Sequence, residues 1–288
     1  MEDAVVSLPA APLAPLDNPH LEAVLQAADE AIRRPHANGY RGPVHVGVDL
    51  GTAYVVLFVL DAEKRPLVGA YRYAEVVRDG LVVDFVAATA LVRELKAQVE
   101  QRLGFPLRAA ATAYPPGVPL AEVRATRYVL EAAGLECTAQ VDEPTAANAV
   151  LQVANGAVVD IGGGTTGIAV VENGRVIYTA DEPTGGTHFT LVIAGSHRIP
   201  FAEAEAMKTD PRQQPRLFPV VRPVMEKVAT IIARHIRPFA VEALYLVGGA
   251  AAFHGFPAVV TEITGIPAFT PSRPLFVTPL GIAMNDPG

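Results

Sequence analysis

The chain has 288 residues, 50% of them hydrophobic and 18% charged, with a formal net charge of -7 and a single cysteine, Cys137. These values describe a globular protein of one large domain or two lobes. They exclude a disordered chain, an internal disulfide framework and, since no Lys/Arg cluster stands out, an obvious nucleic-acid binder. The longest wholly apolar runs, such as Val55 to Leu60, fall far below the roughly 18 residues of a membrane-spanning helix. Met1-Glu2-Asp3 is acidic where a secretory signal would be basic, and a lone thiol fits a reducing cytosol.

In chain order, residues 4 to 18 are Ala/Pro-rich and patternless, which reads as a mobile or loosely docked leader. Leu21, Val24, Leu25, Ala28 and Ile32 then recur at helical spacing, with Asn18 as cap and Pro35 as stop. This stripe is expected to dock on the body rather than to await a partner helix. Beyond "RPHANGYRGP" come two β-branched runs, "VHVGVDL" and "AYVVLFVLD", broken by Gly51-Thr52 and read as paired strands. A helix over 86 to 104, a strand to Tyr114, a helix over 120 to 134, a strand "CTAQVD" and a helix from Glu143 follow. A hairpin is expected at Asn173-Gly174, then helices over Phe201 to Lys208 and Pro223 to Ile236. A strand "ALYLV", a further helix and a last helix over Thr278 to Met284 complete the chain. The alternation predicts α/β layers.

Two stretches echo one another. "VGVDLGTAYVVLFVLDAEKRP" (46 to 66) and "AVVDIGGGTTGIAVVENGRV" (157 to 176) share the order strand, Asp, apolar residue, glycine turn with Thr, strand and polar turn. Asp49 and Asp160 are the matching acids, and one such repeat suggests two related lobes facing each other. Gly162, Gly164 and Gly167 also fit the G-x-G-x-x-G spacing, with Asp181 at about the distance of a ribose acid. A dinucleotide turn must open a helix, however, and this one opens β-branched sequence. Glycine turns between strands can still cradle phosphate with their amides, and an acid before each turn can hold Mg²⁺ through water. The alternative is a pair of ordinary hairpin turns, with the acids as turn formers.

"GVDLGTAYV" (47 to 55) and "VVDIGGGTTGIAV" (158 to 170) resemble the two phosphate loops of the actin-like ATPase superfamily, which includes DnaK-type chaperones and MreB. "VDEPTAANAV" (141 to 150) resembles the chaperones' connecting segment, "LVGGAAAFHGF" (246 to 256) the adenosine loop, and "RDGLVVDF" (78 to 85) an MreB segment. From Val44 to Met284 the chain looks most like the EutJ-type family of ethanolamine utilisation, on "GGTHFTLVIAGSHRIPFAEAEAMK" and "PLFVTPLGIAM". The resemblance implies an α/β fold of the actin-like (ribonuclease H-like) type, with two duplicated lobes around a nucleotide cleft. The expected division is a leader with a short helix over 1–43, a first lobe over 44–156 and a second over 157–288, whose C-terminal helix returns to the first. Asp49 and Asp160 would hold the Mg²⁺ hydration shell. Gly51, Thr52, Ala53, Gly162, Gly163, Gly164 and Thr165 would cradle the phosphates of ATP or ADP. Glu143 would orient the attacking water, or serve only as a helix-start acid. Gly185, Gly186, Gly248, Gly249 and Ala250 would contact the nucleotide.

The chain also departs from the family. Little lies between Pro66 and Arg78 to build the first outer subdomain, no lysine matches the chaperones' catalytic one, and "KTDPRQQPRLFP" reads as a bare loop where the second outer subdomain is inserted. Reduced or absent outer subdomains imply poor water exclusion and slow hydrolysis. His188 and His197 lack zinc spacing, Gly195-Ser196-His197 lacks a nucleophile elbow, and Cys137 reads as a buried inert thiol. The expectation is a cytosolic or microcompartment-associated Mg-ATP-binding protein with a weak ATPase activity and a protein partner in ethanolamine utilisation, in a chaperone-like role. A catalytically idle scaffold of the same fold is the second reading, and a small-molecule phosphotransferase the third.

Overall fold

The computed structural model describes residues 19–35, 37, 39–74, 76–78, 81–118 and 120–288. The 4 to 18 leader and the Asn18 cap lie outside them. Helix α1 (Pro19–Arg33) buries Leu21, Leu25, Ala28 and Ala31; of the stripe read from the sequence, Val24 and Ile32 are half-buried, and Ala31 was not in it. Leu25 shares a core with Val56, Phe58 and Leu60 of the first sheet and with Phe276 and Leu280 near the C-terminus. The helix is therefore docked. Leu25 is fully buried, and Leu25→Ala is expected to cost about 2–4 kcal/mol in a urea titration. An unchanged midpoint would mean that α1 contributes nothing to the core.

Strands β1 (His45–Leu50), β2 (Tyr54–Leu60) and β3 (Pro66–Tyr73) form an antiparallel meander. A short hairpin, β4 (Val77–Arg78) and β5 (Leu81–Val82), leads into α2 (Phe85–Leu103). That helix starts where Asp84 accepts from the Ala87 amide at 2.9 Å and stops at left-handed Gly104. β6 (Ala109–Tyr114), α3 (Leu120–Ala132) and β7 (Glu136–Asp142) add parallel strands, giving the sheet order β3-β2-β1-β6-β7. α4 (Glu143–Leu151) then crosses to the second half.

There the plan repeats. β8 (Gly156–Ile161), β9 (Thr166–Glu172) and β10 (Arg175–Glu182) form the same meander. Its second turn is the expected hairpin, with Asn173 and Gly174 both at positive φ, 52° and 73°. After α5 (Gly186–His197), α6 (Phe201–Thr209) and α7 (Gln214–Ile236), β11 (Leu244–Val247) joins β8 in parallel. α8 (Phe256–Thr264) and β12 (Ala268–Phe269) complete the order β10-β9-β8-β11-β12, the counterpart of the first sheet strand for strand. Each half has its own apolar core between its sheet and its outer helices.

α9 (Pro274–Met284) runs between the lobes, against α4, β1 and β2 on one side and β11 on the other. The approach is close. A Cβ added to Gly281 would lie 1.8 Å from the Ala146 carbonyl oxygen, and one on Gly47 would lie 2.4 Å from the Ala283 amide nitrogen.

The segment 208–219 departs from the sequence reading of a bare loop. It is the end of α6, a short turn, and the start of α7, which holds Pro219 and Pro223 inside it. Pro215, Pro219 and Pro223 recur every fourth residue and all three are exposed. The donors that proline lacks thus fall on one solvent-facing line, where water can satisfy the orphaned carbonyls. No helix of the described residues is long and apolar enough to cross a membrane.

Candidate functional site

A cavity of about 370 Å³ opens between the lobes. Its walls include Asp49, Gly51, Thr52 and Ala53 from the first lobe, Glu143 from the crossing, and Asp160, Gly162, Gly163, Gly164, Thr165, Gly186, Gly248, Gly249 and Ala250 from the second. Of the residues that the family resemblance assigns to the cleft only Gly185 is not on the wall, and it braces it from behind.

The register of each meander sets these positions. Asp49 pairs with Val56 and Asp160 with Gly167, so each acid stands one residue before its strand ends in a turn. The second turn is tied to the start of α5: Gly186 N donates to Gly162 O at 2.9 Å and Thr187 N to Gly163 O at 2.8 Å. Gly185 must be glycine for this, since a Cβ there would lie 2.7 Å from both carbonyl oxygens. Among the described residues no hydrogen bond engages the Gly163, Gly164 and Thr165 amides, and donors grouped in this way form an anion-binding concavity. The two turns meet. A Cβ on Gly163 would lie 2.9 Å from the Ala53 Cβ and 3.1 Å from the Ala53 nitrogen.

Glu143 is the first residue of α4, a helix capped by Asp142, which accepts from the Thr145 amide at 3.0 Å. Burial, then the neighbouring Asp160, Asp49, Asp181 and Asp142 carboxylates, push the Glu143 pKa well above its ordinary value. Burial and then Asp160 raise Asp49 to about 7. Burial raises Asp160 to about 6, opposed by a hydrogen bond from the Thr278 hydroxyl. Among the described lining residues Lys208 is the sole lysine or arginine, and it is already engaged. Its Nζ lies 2.7 Å from Glu205 Oε2 and donates to Gly186 O at 3.1 Å and Thr190 Oγ1 at 3.0 Å.

Crowded acids without a free ammonium or guanidinium partner fit a cation. No three Asp, Glu, His or Cys side chains among the described residues converge tightly enough to chelate one directly. Carboxylates set apart around a cavity fit a hydrated Mg²⁺ held through its waters, with the unengaged amides suited to phosphate oxygens.

Several lining residues were missed in the sequence. Glu205 and Lys208 sit three apart on the predicted helix over Phe201 to Lys208, and that spacing of charges was the available signal. Gln214 donates to Lys208 O at 2.9 Å and accepts from the His254 amide at 3.0 Å, pinning α6 to the second-lobe wall. Thr278 left no local sign, because only the chain crossing brings it to Asp160. The dinucleotide reading of 162 to 167 is set aside by β9, which follows the turn in place of a helix. His188 Nδ1 accepts from the Gly185 amide at 3.3 Å, and His197 is exposed. Cys137 is half-buried rather than buried, with its thiol pushed up by burial.

Two duplicated lobes of one strand order, a cleft between them and a glycine turn from each lobe define an actin-like ATPase fold. The family model of cell division protein FtsA matches residues 157–281 and that of MreB/Mbl protein residues 68–208. The ethanolamine utilization protein EutJ of Salmonella typhimurium is 46% identical over 242 residues, 84% of this chain and 85% of that protein. The crystal structure of EutJ from Carboxydothermus hydrogenoformans superposes with a TM-score of 0.87 at 49% identity, covering 92% of this chain and 97% of that one. MreB 5 of Spiroplasma citri, bound to AMPPNP, shares the fold at a TM-score of 0.69 and 17% identity, over 85% of this chain and 96% of that one. The chain belongs to the EutJ family of ethanolamine utilization proteins.

Proposed function

We propose that this protein binds Mg-ATP and ADP between a first lobe over 44–156 and a second over 157–288. Closure of the lobes is coupled to a protein partner, in chaperone-like or assembly service to ethanolamine utilisation and its microcompartment in the cytoplasm. The observation that carries the reading is the meeting of the Gly51–Ala53 and Gly162–Thr165 turns beside two acids, buried Asp160 and half-buried Asp49. The ethanolamine context rests on the EutJ relatives, and the ligand class is supported by the AMPPNP of the MreB 5 structure.

Bound Mg²⁺ would supply charge neutralisation at the β- and γ-phosphates. Asp49 and Asp160 hold its water shell, and the amides of 163 to 165 take phosphate oxygens. Gly248, Gly249 and Ala250, with Glu205 and Lys208 beside them, give the nucleoside a wall. Glu143, at the crossing between the lobes, orients water. Hydrolysis is slow, because the lining lysine is tied to Glu205 and contributes no free charge to the transition state.

Calorimetry is expected to show ATP binding that requires Mg²⁺. In a phosphate-release assay Glu143→Ala should retain binding and lose about a hundredfold in turnover, and Asp160→Ala should lose both. Equal background rates in wild type and both variants, with binding intact in the wild type, would instead establish the second reading, a scaffold that keeps the fold without useful catalysis. That reading is favoured by the engaged Lys208. Absence of Mg²⁺-dependent binding in the wild type would overturn the proposal.

A further inference from the structure

α9 is fastened to both lobes at very short range. At its start, Pro274 O accepts from the Gly248 amide of the second lobe at 3.0 Å. Toward its end, Gly281 and Ala283 lie against Ala146 and Gly47, where the backbones approach so closely that no larger residue fits. Thr278 stands one turn after the first fastening and one turn before the second. It is 4% exposed, and its hydroxyl donates to Asp160 Oδ2.

A helical threonine ordinarily returns its hydroxyl to the carbonyl four residues back. Here that carbonyl, Pro274 O, is occupied by Gly248 N, and the hydroxyl is spent on Asp160. The other carboxylate oxygen is confined by Gly248, where a Cβ would lie 2.3 Å from Asp160 Oδ1. Both restraints on Asp160 therefore arise from α9, one directly and one through the residue that α9 holds. Buried charge-assisted hydrogen bonds of this kind fix geometry as well as contributing energy.

We propose that Thr278 is a positioning residue that couples the Asp160 carboxylate to the lobe-crossing helix α9, so that engagement of Asp160 by a hydrated cation is transmitted to the contact between the lobes. The cation part rests on the proposed Mg-nucleotide function; the link between Asp160 and α9 through Thr278 does not. The coupling has a short path. Rotation of Asp160 toward a ligand pulls on the middle of a helix whose two ends belong to different lobes, and a helix clamped in this way responds by tilting as a unit.

The test uses the full chain as wild type, Thr278→Val and Thr278→Ser. Native-state hydrogen exchange is read by mass spectrometry on the apo protein, and ADP binding is titrated with and without Mg²⁺. Thr278→Val is expected to exchange about tenfold faster across α9 and β8 and to need about tenfold more Mg²⁺ for half-maximal ADP binding, the loss expected of one hydrogen bond to a charged group. Thr278→Ser, which keeps the hydroxyl, should restore both properties. Wild-type exchange in Thr278→Val, or a serine variant as impaired as the valine one, overturns the proposal, the latter because packing of the methyl group would then be the cause. A wild type that binds no ADP removes the Mg-nucleotide function and the cation half of the proposal, while the apo exchange still decides the Thr278 link.

Discussion

Gly248→Ala is expected to abolish Mg²⁺-dependent nucleotide binding and to lower the unfolding free energy by about 3 kcal/mol. Gly248 has φ 85° and ψ 161°, a backbone region essentially closed to residues with a Cβ. Space is lacking as well. The added carbon would lie 2.3 Å from Asp160 Oδ1 and 2.4 Å from the Ile161 carbonyl oxygen, and the latter belongs to a central strand that cannot retreat. Asp160 would have to swing off the Thr278 hydroxyl, or β11 would have to move away from β8 and draw the Gly248 amide off Pro274 O. Either adjustment dismantles the acid half of the cleft. Gly249→Ala is the control for stability, because its Cβ would meet only Leu275 Cδ1, at an ordinary 3.4 Å. Urea unfolding and calorimetry on the pair check the expectation, and a Gly248→Ala protein with wild-type binding would mean that the Asp160 position does not matter to the ligand.

The two glycine-turn hairpins were legible in the sequence because a β-hairpin is local. A β-branched run, a glycine turn and a second β-branched run lie within about 20 residues, and one register fixes which side chains reach the cleft. The acids at 49 and 160 could therefore be placed before any long-range contact was known. β3 was missed because Gly69 interrupts its apolar pattern; that glycine is required by Phe58, whose ring carbon would lie 2.5 Å from an added Cβ. The first part of α7 was missed because proline reads as a helix breaker, whereas prolines four apart on a solvent face open the hydrogen-bond ladder only where water can reach it. Thr278 was not legible at all. Its partner lies 118 residues away, and α9 carries apolar residues around its whole circumference, so no periodicity marks the face that meets Asp160.

The same acids make the stability of the apo protein run against the usual direction with pH. Asp49, at about 7, and Asp160, at about 6, are held above the value near 4 that a carboxyl shows in an unfolded chain, and Glu143 is held well above its ordinary value by burial and the same neighbouring acids. Between those limits the folded state carries more protons than the unfolded one. The stability these groups contribute is complete below about pH 4 and is lost as pH rises through about 6 and 7. The thermal midpoint of the metal-free protein is thus expected to fall between about pH 5.5 and pH 8, by an amount equivalent to about 2–4 kcal/mol. Asp49→Asn, which cannot ionise, should flatten part of that slope, leaving the share of Glu143 and Asp160, and be more stable than the wild type at the upper end. Glu182 and Asp210 are lowered by their His235, Arg234 and Arg212 partners, so their contribution is lost only at more acid pH and leaves this window clear. A hydrated cation acts in the opposite direction, favouring the ionised acids. Mg-ATP affinity should then tighten as pH rises from about 6 to 8, and the heat of binding should differ between buffers of different ionisation enthalpy, because protons leave as the ligand enters. A flat apo midpoint across this range in the wild type, or equal slopes in wild type and Asp49→Asn, would mean that the cleft acids are already ionised and that something other than a bound cation offsets their repulsion.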